Sequence, residues 1–549
     1  MSTVDKNPVV KTRSGEVRGS LASGVVDEFE MKARVGEILN RWPAVGLAVG
    51  VVRNESLEFF HGHGLADIGS NTPITEDTVF RIASITKTFT AIAIMQLWEH
   101  GLVDLDAPAN DYLRAYRLTP AKPSFRPTTV RQLLTHTGGI PEQVPSYGFL
   151  LPDYGESVKM GRRVPSLAEY YRGSLRVAVE PGTRFIYGNH SFATLGQIVE
   201  DVSGKPLDRY FREHIFEPLG MADTDLLRSE HVQSRLATGY KLGSGGPKAI
   251  TDRQLVPASA GSIYSTTKDM ARYVAALLGG GSNEHGSVLK PETLATMFEP
   301  QYQADPRIPG MGLGFMRGNL GGHPAVEHQG ILPGFNSQIW LAPKDGVGVL
   351  AFTNGASNAL MWMPAEFGEL LGYLLGVPAE DIRTDVPQHP EIWKEICGWY
   401  SLSVPMTDAR SRLWFGAGAE VLARRGELIF RFLNPIPAMY KGFPLHPDDE
   451  NDPYIFRIDF SRFGVGTARV LFRREPEAGT TAVLEFAPFP LHKQPPAMNP
   501  RLWATAALGV AGAGFALHRF RVTRKKRLAR NSYHGDGRSA ASSSPYKGM

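Results

Sequence analysis

The sequence predicts an α+β fold. A mixed sheet is built from both ends of a large domain, an α-helical subdomain lies between them, and a small C-terminal antiparallel β domain follows. Three observations predict it. Short strand-like runs occur near the N-terminus and again between about residues 312 and 355; the span between them is helical and rich in loops; and a second set of alternating runs follows the stretch from Pro387 to Pro390.

Each element has its own signal. Residues 1–24 contain no long apolar run and read as an N-terminal extension. Residues 25–42 (VVDEFEMKARVGEILNRW) read as a helix, and VGLAVGVVR and LEFFHGHG as two strands joined by the turn-like Asn54-Glu55-Ser56. In FRIASITKTFTAIAIMQL, residues 80–97, nearly every position from Phe89 onward is apolar or small, so a helix there is buried on all sides. Past the helical stretch, GLGFM, AVEHQG, FNSQIWLAP and GVGVLAFTNG read as consecutive strands, with Lys344-Asp345-Gly346 as a hairpin turn. These elements make one domain over residues 25–380. ELIFRF, YIFRIDF, ARVLFRR and AVLEF then predict an accessory antiparallel sheet or barrel over 388–492. Residues 500–549 form a tail: an apolar segment from Leu502, then a basic, low-complexity end.

Composition excludes several functions. The formal charge of the 549 residues is +4, but from His518 onward nine Lys or Arg face one Asp, which leaves the rest at about −4. No global basic field points to nucleic acid. A single cysteine, Cys397, excludes an internal disulfide. His61-Gly62-His63 has no further ligands at zinc spacing, so no metal is expected. Neither a G-x-S-x-G elbow nor a Walker loop occurs. The N-terminus has no secretory apolar core, so a cytoplasmic location is the default. Residues 502–517 are a candidate membrane span, shorter than the ~20 residues such a helix needs, and 502–530 a candidate membrane contact.

Three short motifs can carry chemistry. Ser84-Ile85-Thr86-Lys87 is an S-x-x-K motif at a helix start, a spacing that puts hydroxyl and amine on one face. Burial would keep the lysine neutral and able to take the serine proton; a capping serine beside a solvated lysine is the alternative. The same pattern recurs at Ser265–Lys268, where a helix N-cap explains the serine and leaves the lysine exposed, and at Ser544–Lys547 in the tail. Tyr187-Gly188-Asn189 offers a phenol for proton relay and an amide for a substrate carbonyl, though Asn189 also suits a helix N-cap. His328-Gln329-Gly330 lies in a strand, where the glycine would let a substrate approach the backbone. His136-Thr137-Gly138 has the same pattern but reads as an ordinary loop histidine.

In this order, separated by about 100 and 140 residues, the three motifs resemble the beta-lactamase and penicillin-binding serine hydrolases, nearest to the class C beta-lactamase and DD-peptidase-like esterase branch. LLTHTGGIP, PGTRFIYGNHSFATLGQIVE and SAGSIYSTTKDMARY add to the likeness, which covers about residues 30–380. The resemblance implies a beta-lactamase/transpeptidase-like mixed sheet with an α-helical subdomain and a site at their junction. It implies Ser84 as acylated nucleophile, Lys87 and Tyr187 as the proton-transfer pair, and Asn189, His328 and Gly330 as substrate contacts. The backbone N–H groups of Ser84 and Ile331 would form the oxyanion hole. Where beta-lactamases carry Lys-Thr-Gly this chain has His328-Gln329-Gly330, and a neutral imidazole holds a carboxylate poorly. The expectation is a metal- and cofactor-independent hydrolase of a small ester, amide or peptide. A non-turnover penicillin-binding or sensor protein of the same fold, or an acyltransferase, is the alternative.

Overall fold

The structure is a computed structural model that describes residues 26–142, 144, 155–379, 381–402, 417–475, 479–485, 487–501, 519 and 522–523. Its first helix, α1 (Glu28–Arg41), is capped by Asp27, whose side chain accepts the N–H groups of Phe29 and Glu30 at 3.0 and 3.1 Å. Strands β1 (Gly46–Arg53) and β2 (Ser56–Asp67) follow. Asn54 and Glu55 between them both lie at positive φ, 50° and 63°, the backbone that a tight hairpin requires. The short β3 (Thr72–Pro73) ends this edge.

The main helices are α2 (Thr86–Glu99), α3 (Asn189–Ser203) and α4 (Thr267–Leu278). Four strands then return: β4 (Met316–Leu320), β5 (His323–Leu332), β6 (Phe335–Ala342) and β7 (Val347–Thr353), followed by α5 (Ala359–Leu374). The sheet is antiparallel throughout, in the order β4-β5-β6-β7-β1-β2-β3, so the two ends of the domain meet where Ala48 pairs with Phe352. Every residue of β1 is buried because both faces are covered. Leu47, Val49 and Val51 pack with Val35 of α1 and Trp362 and Phe367 of α5; Ala48 and Val52 belong to the opposite core with Phe89 of α2 and Val274 of α4.

Two local expectations are corrected. GLGFM is not a strand: pairing starts at Met316, while Leu313 and Phe315 are core residues flanking Gly314 at φ 79°. A Cβ on Gly314 would come within 2.5 Å of the Ala91 Cβ, so the segment is bent to bring it against α2. The helix after Ser265 is capped by Thr266, whose hydroxyl accepts the Asp269 N–H at 3.1 Å; Ser265 instead pairs with the Thr224 hydroxyl at 2.8 Å, and Lys268 is exposed as expected.

Pro364 inside α5 supplies no N–H to the carbonyl of Leu360. Gln329 of β5 answers this, its Nε2 donating to the Leu360 and Ala359 carbonyls at 3.1 and 3.2 Å. That contact ties the strand carrying His328 to the layer behind it.

The C-terminal unit is a closed eight-stranded antiparallel barrel, β8 (Gly398–Leu402), β9 (Ala419–Arg424), β10 (Glu427–Phe432), β11 (Phe443–Pro447), β12 (Ile455–Asp459), β13 (Thr467–Glu475), β14 (Gly479–Leu484) and β15 (Ala487–Lys493). Alternation fills it with Phe430, Phe432, Phe456, Val470 and Phe472, while Ile455, Leu471 and Val483 point outward onto Ala304 and Ile308 of the large domain. Arg307 crosses the same contact, 2.7 Å from Asp452 and 2.9 Å from the Phe472 carbonyl. Among the described residues no helix is long and apolar enough to cross a membrane. The candidate span at 502–517, the N-terminal extension 1–24 and the tail motif Ser544–Lys547 lie outside the described residues.

Candidate active site

Ser84 sits in a tight helical turn, Ala83–Ile85, that runs straight into α2. Ala83 occupies the left-handed region at φ 47°, a conformation that costs a non-glycine residue about 1 kcal/mol. The turn is held from two sides. Ile82 N–H donates to the Ile263 carbonyl and Ile263 N–H to the Thr86 hydroxyl, both at 3.1 Å, while Ser337 Oγ of β6 donates to the Ile82 carbonyl at 2.7 Å. Gly330 of β5 lies against the same carbonyl: a Cβ there would fall 2.2 Å from Ile82 O and 2.1 Å from Ser337 Oγ. This corrects the expected reason for the glycine. What approaches its backbone is the turn carrying Ser84.

All of α2 from Thr86 to Leu97 is buried, Lys87 included, with no exposed surface. Its amine has three neighbours: Ser84 Oγ at 2.9 Å, Asn189 Oδ1 at 3.0 Å and the Ala260 carbonyl at 2.9 Å. Burial pushes Lys87 down to about 7, opposed by the charge of Glu156. A neutral amine has two N–H groups and one lone pair. Asn189 Oδ1 and Ala260 O can only accept and take both N–H groups, which leaves the lone pair facing the Ser84 hydroxyl.

Tyr187 hydrogen-bonds the Ser84 side chain, and its ring centroid lies 5.0 Å from Lys87 Nζ. Burial raises it well above the usual phenol value, with the Ser84 bond opposing, so it stays protonated at neutral pH. Asn189 was expected as a possible N-cap, but Gly188 holds that position and Asn189 opens α3 with its amide turned into the site. Its Nδ2 donates to Glu156 Oε2 at 2.7 Å. His328 is 2 % exposed and burial drives it down to about 3. Its Nδ1 lies 2.8 Å from the Gln329 carbonyl, which fixes the tautomer and makes Nε2 an acceptor; among the described residues that Nε2 has no partner. Ile331 follows on β5, opposite Asn336.

Sequence reasoning missed two members. Glu156 is nearly buried at 8 % exposure, and nothing in its local pattern marks it. His136, read as an ordinary loop histidine, is buried beside Tyr187 with ring centroids 4.4 Å apart, lies at φ 56°, and accepts the Gly188 N–H on Nδ1 at 3.3 Å. Burial, then the Lys87 charge, hold it well below the usual imidazole value, so it too is neutral. Behind it Phe185 stacks on Tyr302, with ring centroids 5.9 Å apart. Tyr302 packs with Ala304 and Ile308 against the barrel, so the barrel braces the segment that carries Tyr187.

A serine, a lysine that loses its proton near pH 7, a protonated tyrosine and an amide thus converge where the helical subdomain meets the sheet. Residues 35–362 match the family model described as Beta-lactamase, and the chain belongs to that family of serine hydrolases. Esterase EstB from Burkholderia gladioli is 30 % identical over 345 residues, spanning 58 % of this chain and 87 % of that protein. A beta-lactamase of Yersinia enterocolitica is 29 % identical over 308 residues, 56 % of this chain and 72 % of that one. In three dimensions the chain is similar to an octameric penicillin-binding protein homologue from Pyrococcus abyssi, with a TM-score of 0.54 at 23 % identity over 85 % of this chain and 100 % of that one. The last is a likeness of fold.

Proposed function

We propose that the protein hydrolyses a small ester or amide lacking a recognised carboxylate, through an acyl-enzyme on Ser84. The observation that carries this reading is the fully buried Lys87 amine, 2.9 Å from Ser84 Oγ with its other two neighbours pure acceptors and pushed by burial to lose its proton near pH 7. Lys87 takes the Ser84 proton as Oγ attacks the substrate carbonyl carbon. The N–H groups of Ser84 and Ile331 meet the developing oxyanion, each such donor contributing roughly 10²- to 10³-fold in rate. Tyr187 gives its proton to the leaving group and regains one from Lys87. Even an unperturbed phenol is only about 0.1 % ionised at pH 7, so Lys87 rather than Tyr187 is the base. Water then cleaves the acyl-enzyme by the reverse transfers.

Asn189 lines the acyl side, while Gly330 lets β5 close against the turn that carries Ser84. His328 presents a lone pair where a beta-lactamase presents an ammonium, which favours neutral substrates and disfavours penicillins. Beta-lactamase and esterase relatives are both consistent with acyl transfer from small substrates. A fluorophosphonate probe tests the reading: it labels the wild type and leaves Ser84→Ala unlabelled, and label persisting in the variant removes Ser84 from the mechanism. Steady turnover of nitrophenyl esters after one equivalent distinguishes a hydrolase from a sensor that acylates once.

A further inference from the structure

We propose that Glu156 is a positioning residue for this site: it fixes which end of the Asn189 amide faces Lys87, and so keeps the lysine lone pair on Ser84. The proposal rests on the reading of Ser84 and Lys87 above and adds a residue to it.

The two ends of an asparagine amide have nearly the same shape and opposite hydrogen-bonding character. With Oδ1 toward Lys87, the amide consumes a lysine N–H. With Nδ2 toward Lys87, it would donate to the lysine lone pair and withdraw it from the serine. Lys87 alone does not decide between the two, since an amine both donates and accepts. Glu156 does. Its carboxylate only accepts, and it lies 2.7 Å from Nδ2, so the orientation with Oδ1 on Lys87, at 3.0 Å, is the one that satisfies both ends.

Glu156 is itself held from several sides. Its carbonyl accepts the Val256 N–H at 2.8 Å, and the next residues, Ser157–Lys159, pair with Arg253–Leu255. Arg253 Nε donates to Ser157 Oγ at 2.7 Å. His190 Nε2 lies 3.2 Å from Glu156 Oε1 without hydrogen-bond alignment, and His190 Nδ1 is 2.8 Å from the Tyr171 hydroxyl.

The carboxylate also acts on Lys87 through its charge. Among the described residues, Glu156, His136, His328 and Tyr187 surround that amine, and Glu327, pushed up to about 7 by burial, acts on the phenol. Both imidazoles are neutral and the phenol is protonated at neutral pH, so Glu156 is the anion that favours the lysine ammonium. Removing it lowers the pH at which Lys87 becomes a base.

The experiment compares nitrophenyl ester turnover from pH 5 to 9 in wild type, Glu156→Gln and Glu156→Asp, with Ser84→Ala as the blank and circular dichroism as the check on folding. Glu156→Gln is expected to move the limb where activity rises to lower pH by about one unit and to reduce kcat on the order of tenfold. Glu156→Asp keeps the charge but draws it back from Asn189, and moves the limb the same way by less. A limb at the wild-type pH in whichever variant folds overturns the proposal, because a purely structural role would not predict a shift. Wild-type turnover no greater than the Ser84→Ala blank instead refutes the reading of the site itself.

Discussion

Replacing Lys87 with methionine isolates the cost of burying an amine. In the folded protein burial pushes Lys87 down to about 7, against ~10.4 for an unfolded lysine. Below pH 7 the amine is protonated in both states and the full cost, about 4–5 kcal/mol, opposes folding. Between pH 7 and about 10.4 the unfolded chain holds more protons than the folded one, so wild-type stability rises with pH relative to the variant. Of the full cost, about 2 kcal/mol is recovered between pH 7 and 9. Against this, methionine leaves Asn189 Oδ1 and the Ala260 carbonyl without the amine, each a loss of roughly 1–3 kcal/mol that does not depend on pH. The two effects are similar in size at any one pH, so the slope is the clean observable. Urea midpoints of wild type and Lys87→Met from pH 6.5 to 9 measure it. Burial also pushes Glu327 up to about 7, but it titrates in both proteins and drops out of the difference. The wild type is expected to gain about 2 kcal/mol on the variant between pH 7 and 9. Parallel curves would refute the reasoning, since they would mean the amine is not desolvated.

Other perturbations follow from single contacts. Gly330→Ala places a methyl group 2.2 Å from the Ile82 carbonyl and is expected to cost about 1–3 kcal/mol by denaturant titration and to lower kcat by displacing the Ser84 turn; a stable, fully active variant would contradict that packing. His328→Ala removes the buried lone pair at this position, and kcat/KM for a neutral nitrophenyl ester is expected to fall several-fold; no change would show that the position does not contact substrate. Tyr302→Ala removes the ring that stacks on Phe185 and packs against the barrel, so about 2 kcal/mol of stability and a few-fold of kcat should be lost with KM unchanged. Wild-type kcat would detach the barrel contact from the segment carrying Tyr187.

The parts of the fold with strong local patterns were readable from the chain. An apolar run on all faces announced α2, and turn residues at Asn54-Glu55 and Gly346 announced hairpins. Ser84 and Lys87 were readable because one helical turn brings them together. Glu156 was not, because it reaches Asn189 through pairing between Ser157–Lys159 and Arg253–Leu255, about a hundred residues apart in the chain. His136 was misread for a related reason: a histidine followed by a glycine in a loop looks ordinary until the packing of Phe185, Tyr187 and Phe192 around it is seen. In the barrel, β11 (FPLHP) and β15 (APFPLHK) each contain two prolines, a composition that argues against strands, so closure was invisible although neighbouring strands were clear. The N-cap falls on Thr266, one residue past Ser265, because both residue types cap helices and the register of Tyr264–Thr266 chooses between them.

The most direct test is the pH dependence of Ser84 acylation, followed as the initial burst of nitrophenol release in wild-type protein. Activation by a neutral Lys87 predicts a rate that rises through a single limb near pH 7 and is lost in Ser84→Ala. A burst rate that is flat across this range, or that climbs only near pH 10 where an ordinary lysine or tyrosine ionises, would contradict the account.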